Sequence, residues 1–357
     1  MTKIAINGFG RIGRAAFAAA ADLHGFGDRR RRSERINADN LKVVAINDLV
    51  EGEQLANLLK YDSVYGVADK DITAETSSAD NFLKTGRKKI RLLSEKDPAE
   101  LPWRELGVDI VLECSGVFTE FEQARKHISA GARKVIISAN GKGEGLTVVL
   151  GTSGAEDKLK IASSDVVSNA SCTTNCIAPI MQILNDEFGV SKSLMTTNHA
   201  YTSTQNLVDG PSRKDMRRAR AAAVNAIPTT TGSAVAAGKV VPEIDDKFDG
   251  IAVRVPVPCG SLSDITALLE ERVTVEKVNQ AFEDAETLPR YRGIVEYSED
   301  PLVSSDIIGN PYSAVFDSSF TRVVGGNLVK LLAWYDNEWA YACRLVELAQ
   351  LIGEEIS

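Results

Sequence analysis

Cys172 lies in Ser168-Asn169-Ala170-Ser171-Cys172-Thr173-Thr174-Asn175-Cys176, and an apolar run over 177–184 follows. Small and hydroxyl residues ahead of an apolar run predict a helix opening at or near Cys172, with Ser171, Thr173 or Thr174 able to cap it. A thiol at a helix N-terminus feels the positive end of the dipole, which favours thiolate. First-turn N–H groups can also hold a developing oxyanion. His199 follows in Leu194-Met195-Thr196-Thr197-Asn198-His199-Ala200-Tyr201-Thr202, after a strand-like run. The chain has only 3 histidines, so few imidazoles are available as a base. A cysteine activated by a histidine is the arrangement of covalent catalysis. A free cysteine is more often a small buried hydrophobe, but the polar neighbours of Cys172 favour the nucleophile.

Anion-binding groups surround these two in sequence. Residues 202–220 are long, polar and irregular, turn at Asp209-Gly210-Pro211-Ser212, and carry Arg213, Lys214, Arg217, Arg218 and Arg220. A cationic loop near a reactive thiol points to an anionic substrate, although a solvated loop explains the charges equally well. Thr229-Thr230-Thr231-Gly232-Ser233 precedes an Ala-rich helix pattern reaching Val240. Hydroxyls and a glycine at a helix N-terminus make a phosphate site, or simply an ordinary cap. Arg254 is a charge inside an apolar strand, a placement that usually has an anionic partner.

The elements that must position these groups begin with a strand over 3–7. Gly8-Phe9-Gly10-Arg11-Ile12-Gly13 follows, then a helix pattern over 14–23. This is G-x-G-x-x-G at a strand–turn–helix junction, where glycines allow the tight turn and the helix start faces a pyrophosphate. A strand over 42–47 ends at Asp48, where an acidic residue binds a ribose 2′-hydroxyl and favours NAD over NADP; a strand-end cap is the plainer alternative. Asp48 lies farther past the glycines than the usual interval of about 20 residues. The excess, 24–40, reads as an inserted surface segment and contains Arg29-Arg30-Arg31-Arg32. Further strands are expected over 109–114 and 134–138, with a helix over 119–130 between them. The turns at 114–118 and 138–140 sit at strand carboxyl ends, where such folds bind ligands. Repeated strand–helix units predict a doubly wound parallel sheet of the Rossmann type. Beyond Cys172, strands over 250–257, 261–269 and 327–335 predict an α+β domain with a large mixed, mainly antiparallel sheet. An amphipathic helix over 339–352 closes the chain. The expected division is 1–171 with 336–357 for the dinucleotide domain, and 172–335 for the catalytic one.

Composition narrows the function. A length of 357 residues suffices for two domains. The net charge of −8 argues against general nucleic-acid binding by field. No apolar run reaches membrane-spanning length, and the N-terminus enters a strand without a signal-peptide layout. A cytoplasmic location is therefore expected. The 5 cysteines are sparse and odd in number, which suits free thiols in a reducing compartment. Cys172 and Cys176 have no second ligand pair at zinc spacing, so no metal is expected.

Asn7-Gly8-Phe9-Gly10-Arg11-Ile12-Gly13-Arg14, Ser168–Cys176, His199-Ala200-Tyr201-Thr202 and Trp334-Tyr335-Asp336-Asn337-Glu338-Trp339 together resemble the phosphorylating glyceraldehyde-3-phosphate dehydrogenases. The similarity runs along essentially the whole chain apart from the insertion. It implies Cys172 as nucleophile and His199 as base. It implies Thr202 and Arg254 as ligands of the substrate phosphate. Ser171, Thr173, Thr231 and Gly232 would hold inorganic phosphate, with Arg218 near both. It places Asn7, Gly8, Gly10, Arg11, Ile12, Asp48, Ser138 and Asn337 at NAD, and Leu49 and Pro211 match the NAD form. It also implies a homotetramer in which the loop over 202–224 packs between subunits. Departures are Ala340, Asn140 and Met216, where glycine, proline and an aromatic or leucine are usual. An erythrose-4-phosphate dehydrogenase, or an NAD-binding thiol redox sensor, are the competing readings.

Overall fold

The computed structural model describes residues 1–21, 23, 32–68, 71–77, 80–161, 164–212 and 215–356. Arg29, Arg30 and Arg31 of the arginine run, and Arg213 and Lys214 of the long loop, lie outside these residues. The chain forms two compact units. The first is Met1–Val148, Glu156–Ser171 and Tyr341–Ser357; the second is Val149–Ala155 and Cys172–Ala340.

The first unit is built on a 9-stranded sheet. From one edge its strands are Leu146–Thr147, Val166–Ser168, Lys134–Ile137, Ile110–Glu113, Thr2–Asn7, Leu41–Asn47, Lys88–Leu93, Asn81–Thr85 and Ile72–Thr76. All neighbours as far as Lys88–Leu93 pair in parallel. Ile4, Ala5, Ile6, Ile110, Val111 and Leu112 are all fully buried, as the continuous apolar runs of a sheet covered on both faces require. Burying each such Ile or Leu contributes about 1.5–3 kcal/mol. The last two strands reverse direction in an antiparallel meander turning at Gly86, an edge that the strand–helix pattern does not announce. The helix expected over 119–130 is two short turns, Phe121–Ala124 and Lys126–Ser129.

The second unit is built on an 8-stranded sheet. Its centre is Val190–Ala200, flanked in parallel by Phe248–Val255 and antiparallel by Ser261–Leu269, which pairs antiparallel with Leu328–Tyr335. Buried and half-buried residues alternate strictly along Ser261–Leu269, the period of a sheet with one face covered. The helix Cys172–Phe188 opens at the residue expected and is buried continuously from Thr173 to Leu184.

The unit boundaries and the sequence division both break at 171/172. They differ in two places. Residues 149–155 belong to the second unit: a Cβ at Gly151 would meet Ile294 at 2.8 Å, and Ser153 N–H donates to Gln182 at 3.1 Å. The later break falls at 340/341 because Asp336 accepts the N–H groups of Gly309, Glu338 and Trp339. The closing helix, Trp339–Glu355, is buried nearly all round over 339–349 and not merely along one face. Its charges persist there because Arg344 pairs with Glu347, and Glu347 Oε1 also accepts the Ser33 hydroxyl at 2.6 Å. Among the described residues no helix is long and apolar enough to cross a membrane.

Candidate active site

Three elements of the second unit bring the reactive groups together. Cys172 is the first residue of its helix, and His199 is the penultimate residue of Val190–Ala200. Register pairs His199 with Arg254 on the parallel neighbour, so both side chains leave the same face. Cys172 Sγ lies 3.4 Å from His199 Nε2. His199 Nδ1 lies 2.7 Å from the Ala200 carbonyl and 2.5 Å from Arg254 Nη1. An acceptor and a donor at Nδ1 serve both neutral tautomers. With the proton on Nδ1, given to Ala200 O, Nε2 offers its lone pair toward the thiol. With Arg254 donating to Nδ1, Nε2–H faces the sulfur.

Burial, then Arg254 and more weakly Arg218, push His199 down from 6.5 to about 3, against the Ala200 carbonyl. The imidazole is therefore neutral and able to accept a proton. Burial holds the Cys172 thiol above its ordinary value; Arg254, the N–H and hydroxyl of Thr173 and the Cys172 N–H offset this only in part. The dipole effect expected from sequence is present, but it competes with desolvation, which a sequence does not display. Cys176, one turn on, is fully buried within 4.0 Å of Ser263 Oγ and the Ala333 carbonyl, and burial raises it further.

Anion-binding groups stand around this pair. Arg254 Nε is buried and has no hydrogen-bond partner among the described residues, an orphan donor of the kind that marks a ligand. Gln205 Nε2 is another; Gln205 Oε1 accepts the Thr202 N–H at 3.2 Å, and Thr202 Oγ1 meets Thr204 Oγ1 at 2.8 Å. Arg218 Nε donates to Thr229 Oγ1 at 3.0 Å, and Arg218 acts electrostatically on both His199 and Arg254. Thr231 and Gly232 open the helix Ser233–Val240: Gly232 is its N-cap, and Ser233 N–H donates to Thr231 Oγ1 at 3.2 Å. The Thr173 hydroxyl meets the Tyr335 hydroxyl at 2.8 Å and also hydrogen-bonds to the Cys172 sulfur.

The dinucleotide residues gather in the first unit. Asn7 pairs with Asn47 in register, so Asp48 follows directly beside the glycine turn despite the insertion. Its carboxylate accepts Phe9 N–H at 2.7 Å and Val50 N–H at 3.0 Å. Gly8 has φ +91°, and a Cβ there would meet Ser115 at 2.5 Å; one at Gly13 would meet the Gly8 carbonyl at 2.1 Å. At Gly10 nothing lies within 4 Å. The open face thus sits at the start of the helix Arg11–Ala21, whose first turn includes Ile12. A cradle floored by glycine at a helix N-terminus fits the pyrophosphate of a dinucleotide. The Arg11 guanidinium is held by Asp62 at 2.5 Å. Burial would raise Asp62, but Arg11 and the Tyr65 and Val64 N–H groups outweigh it and lower it. Ser138, just past the end of Lys134–Ile137, donates its N–H to the Glu113 carbonyl at 3.0 Å.

Asn337 belongs to the second unit, and Ser171, the residue before Cys172, is the last of the first unit's middle segment. Sequence reasoning missed two positioning groups. Tyr335 meets Thr173 and Thr197 hydroxyls at 2.8 Å each and sets its ring edge-on to His199 at 6.1 Å. Ser261 Oγ accepts the Ala200 N–H at 3.1 Å and donates to Asn337 Oδ1 at 2.8 Å. Both lie at strand ends, and Tyr335 also lies inside the Trp334–Trp339 motif.

The glyceraldehyde 3-phosphate dehydrogenase NAD-binding domain matches residues 2–121, and the C-terminal domain of the same family matches 171–337. The chain is 48% identical over 354 residues to a glyceraldehyde-3-phosphate dehydrogenase of Streptomyces coelicolor, covering 99% of each chain. It is 47% identical over 355 residues, again 99% of each, to those of Mycolicibacterium smegmatis and Mycobacterium tuberculosis. Over its full length, and with thiol, imidazole and glycine cradle in place, the chain belongs to the glyceraldehyde-3-phosphate dehydrogenase family.

Proposed function

We propose that this chain oxidises D-glyceraldehyde 3-phosphate with NAD and inorganic phosphate to 1,3-bisphosphoglycerate. The observation that carries this reading is the 3.4 Å approach of Cys172 Sγ to a neutral His199 beside Arg254. Bound NAD supplies the hydride acceptor. The chain supplies the rest. The Cys172 thiolate adds to the aldehyde carbon, giving a hemithioacetal. His199 Nε2 takes the hydroxyl proton as the C–H bond gives up its hydrogen and electron pair, leaving a thioester. A phosphate oxygen then attacks the thioester carbonyl, the C–S bond breaks, and the thiolate is released with the acyl phosphate.

Arg254 and Thr202 hold the substrate phosphate in this reading, supported by the orphan Arg254 Nε. Thr231, Gly232, Ser171 and Thr173 hold the attacking phosphate, with Arg218 near both. Asn7, Gly8, Gly10, Ile12, Asp48, Ser138 and Asn337 hold NAD, Arg11 chiefly through its backbone. The first unit is then the NAD domain and the second the catalytic one. The protein works in the cytoplasm as a homotetramer. Exposed Leu194, Ile251 and Leu328 on the second unit's sheet support association with further copies; light scattering at the mass of a single chain would refute it. The activity test is NADH formation with and without phosphate, beside Cys172→Ser. Phosphate-dependent turnover that disappears in the variant is expected. Turnover retained by Cys172→Ser would rule out the covalent route.

A further inference from the structure

A buried polar chain runs beneath the dinucleotide end of the first unit, and apart from Asn7 none of its members has a part in the chemistry above. Asn47, Asn7 and Glu113 end three adjacent parallel strands in register. Behind them Trp103 and His127 are 0% exposed, and Glu113 is 2% exposed. Trp103 Nε1 donates to His127 Nδ1 at 2.9 Å. An indole N–H only donates, so Nδ1 accepts and the ring hydrogen sits on Nε2. That hydrogen faces Glu113 Oε2 at 3.0 Å. The same oxygen accepts Asn7 Nδ2 at 2.5 Å, while Oε1 accepts the Ser115 N–H at 2.8 Å and its hydroxyl at 2.5 Å. With its nitrogen on Glu113, Asn7 turns Oδ1 to Asn47 Nδ2 at 2.7 Å. Asn47 Oδ1 in turn accepts the Glu95 N–H at 2.8 Å. Each polar head is fixed in one orientation, because reversing any of them sets donor against donor.

We propose that Glu113 is a positioning residue for NAD: its carboxylate fixes the Asn7 amide at the end of the first strand and ties the Ser115 turn against the glycine loop. The contact is direct, since a Cβ at Gly8 would lie 2.5 Å from Ser115 N. The proposal rests on Asn7 being a contact of NAD. Glu113→Gln keeps the shape but sets an amide nitrogen against either the Ser115 N–H or the Asn7 and His127 donors. The expected result is a dissociation constant for NAD about tenfold higher by calorimetry, with kcat at saturating NAD and KM for glyceraldehyde 3-phosphate within about twofold of native. A folded Glu113→Gln protein with native NAD affinity overturns the proposal, as does a loss of kcat at unchanged affinity. Should that variant not fold, His127→Gln retains a donor for Glu113 and His127→Leu does not. Weaker NAD binding by the Leu variant at matched melting temperature supports the proposal; equal binding overturns it. Asn7→Ala separates the two readings. Native affinity there removes Asn7 as the contact and the proposal with it. A weakened Asn7→Ala beside a native Glu113→Gln refutes the positioning role alone.

Discussion

At the dinucleotide end, Gly8, Gly10 and Gly13 expose backbone, Asp48 is already held by two N–H groups, and Asn7, Asn47 and Glu113 are locked by complementary donors and acceptors. At the thiol end, Cys172, His199 and Arg254 crowd three titratable heads together, with His199 driven down to about 3 and Arg254 Nε left unpartnered. The first region has its polar groups satisfied and its shape set, and needs only to receive a ligand. The second is held short of its electrostatic optimum, because the groups that favour the thiolate compete with the burial that opposes it. A binding site gains by being finished in advance; a covalent site gains by keeping a proton movable.

The sharpest way to break this contrast is His199→Asn. It should lower kcat on the order of 10²–10⁴-fold, the usual worth of a general base, while NAD binding measured by calorimetry stays native. A parallel loss of NAD affinity would mean that the two regions are not separable. Arg254→Leu comes next. It should raise KM for glyceraldehyde 3-phosphate by about 10–100-fold through the lost charged contact. Because Arg254 is what chiefly lowers the thiol, the same variant should alkylate more slowly with iodoacetamide at neutral pH. An unchanged alkylation rate would remove Arg254 from thiol activation. Asp48→Ala probes the other end: NAD should bind about tenfold more weakly, with the iodoacetamide rate of Cys172 unaltered.

The smallest effect is in stability. His199 titrates at 6.5 when unfolded and about 3 when folded. Below pH 6.5 the unfolded chain therefore takes a proton that the folded chain refuses. Its contribution is whole above that pH and drains as pH falls toward 3. His199→Asn should thus lose less thermal stability than the native chain between neutral pH and about pH 5, by on the order of 1–2 kcal/mol. Identical acid limbs would show that His199 is not held neutral by burial.

The dinucleotide end was legible because its residues are contiguous. Gly8 to Gly13 form one turn, and the displaced Asp48 returns to its place because strand pairing, not sequence interval, sets it. The thiol end was legible only as parts. Cys172 at a helix start and His199 at a strand end could be read separately. The inward turn of Thr173 toward Tyr335, and the hydroxyl of Ser261 between Ala200 and Asn337, could not. The Glu113 chain joins residues from Asn7 to His127, and nothing in the local pattern of a buried strand marks its last residue as an acceptor of four donors.

The sequence by itself determined the main strands of both units, the opening of the Cys172 helix, the glycine turn and the identity of the thiol–imidazole pair, because each depends on local propensity or on scarce residue types. Only the tertiary structure decided the protonation balance at that pair, the partner of each hydroxyl, the membership of residues 149–155 and the burial of Arg344 with Glu347. Desolvation and hydrogen-bond choice depend on atoms brought together from distant parts of the chain, and a sequence lists those atoms without their distances.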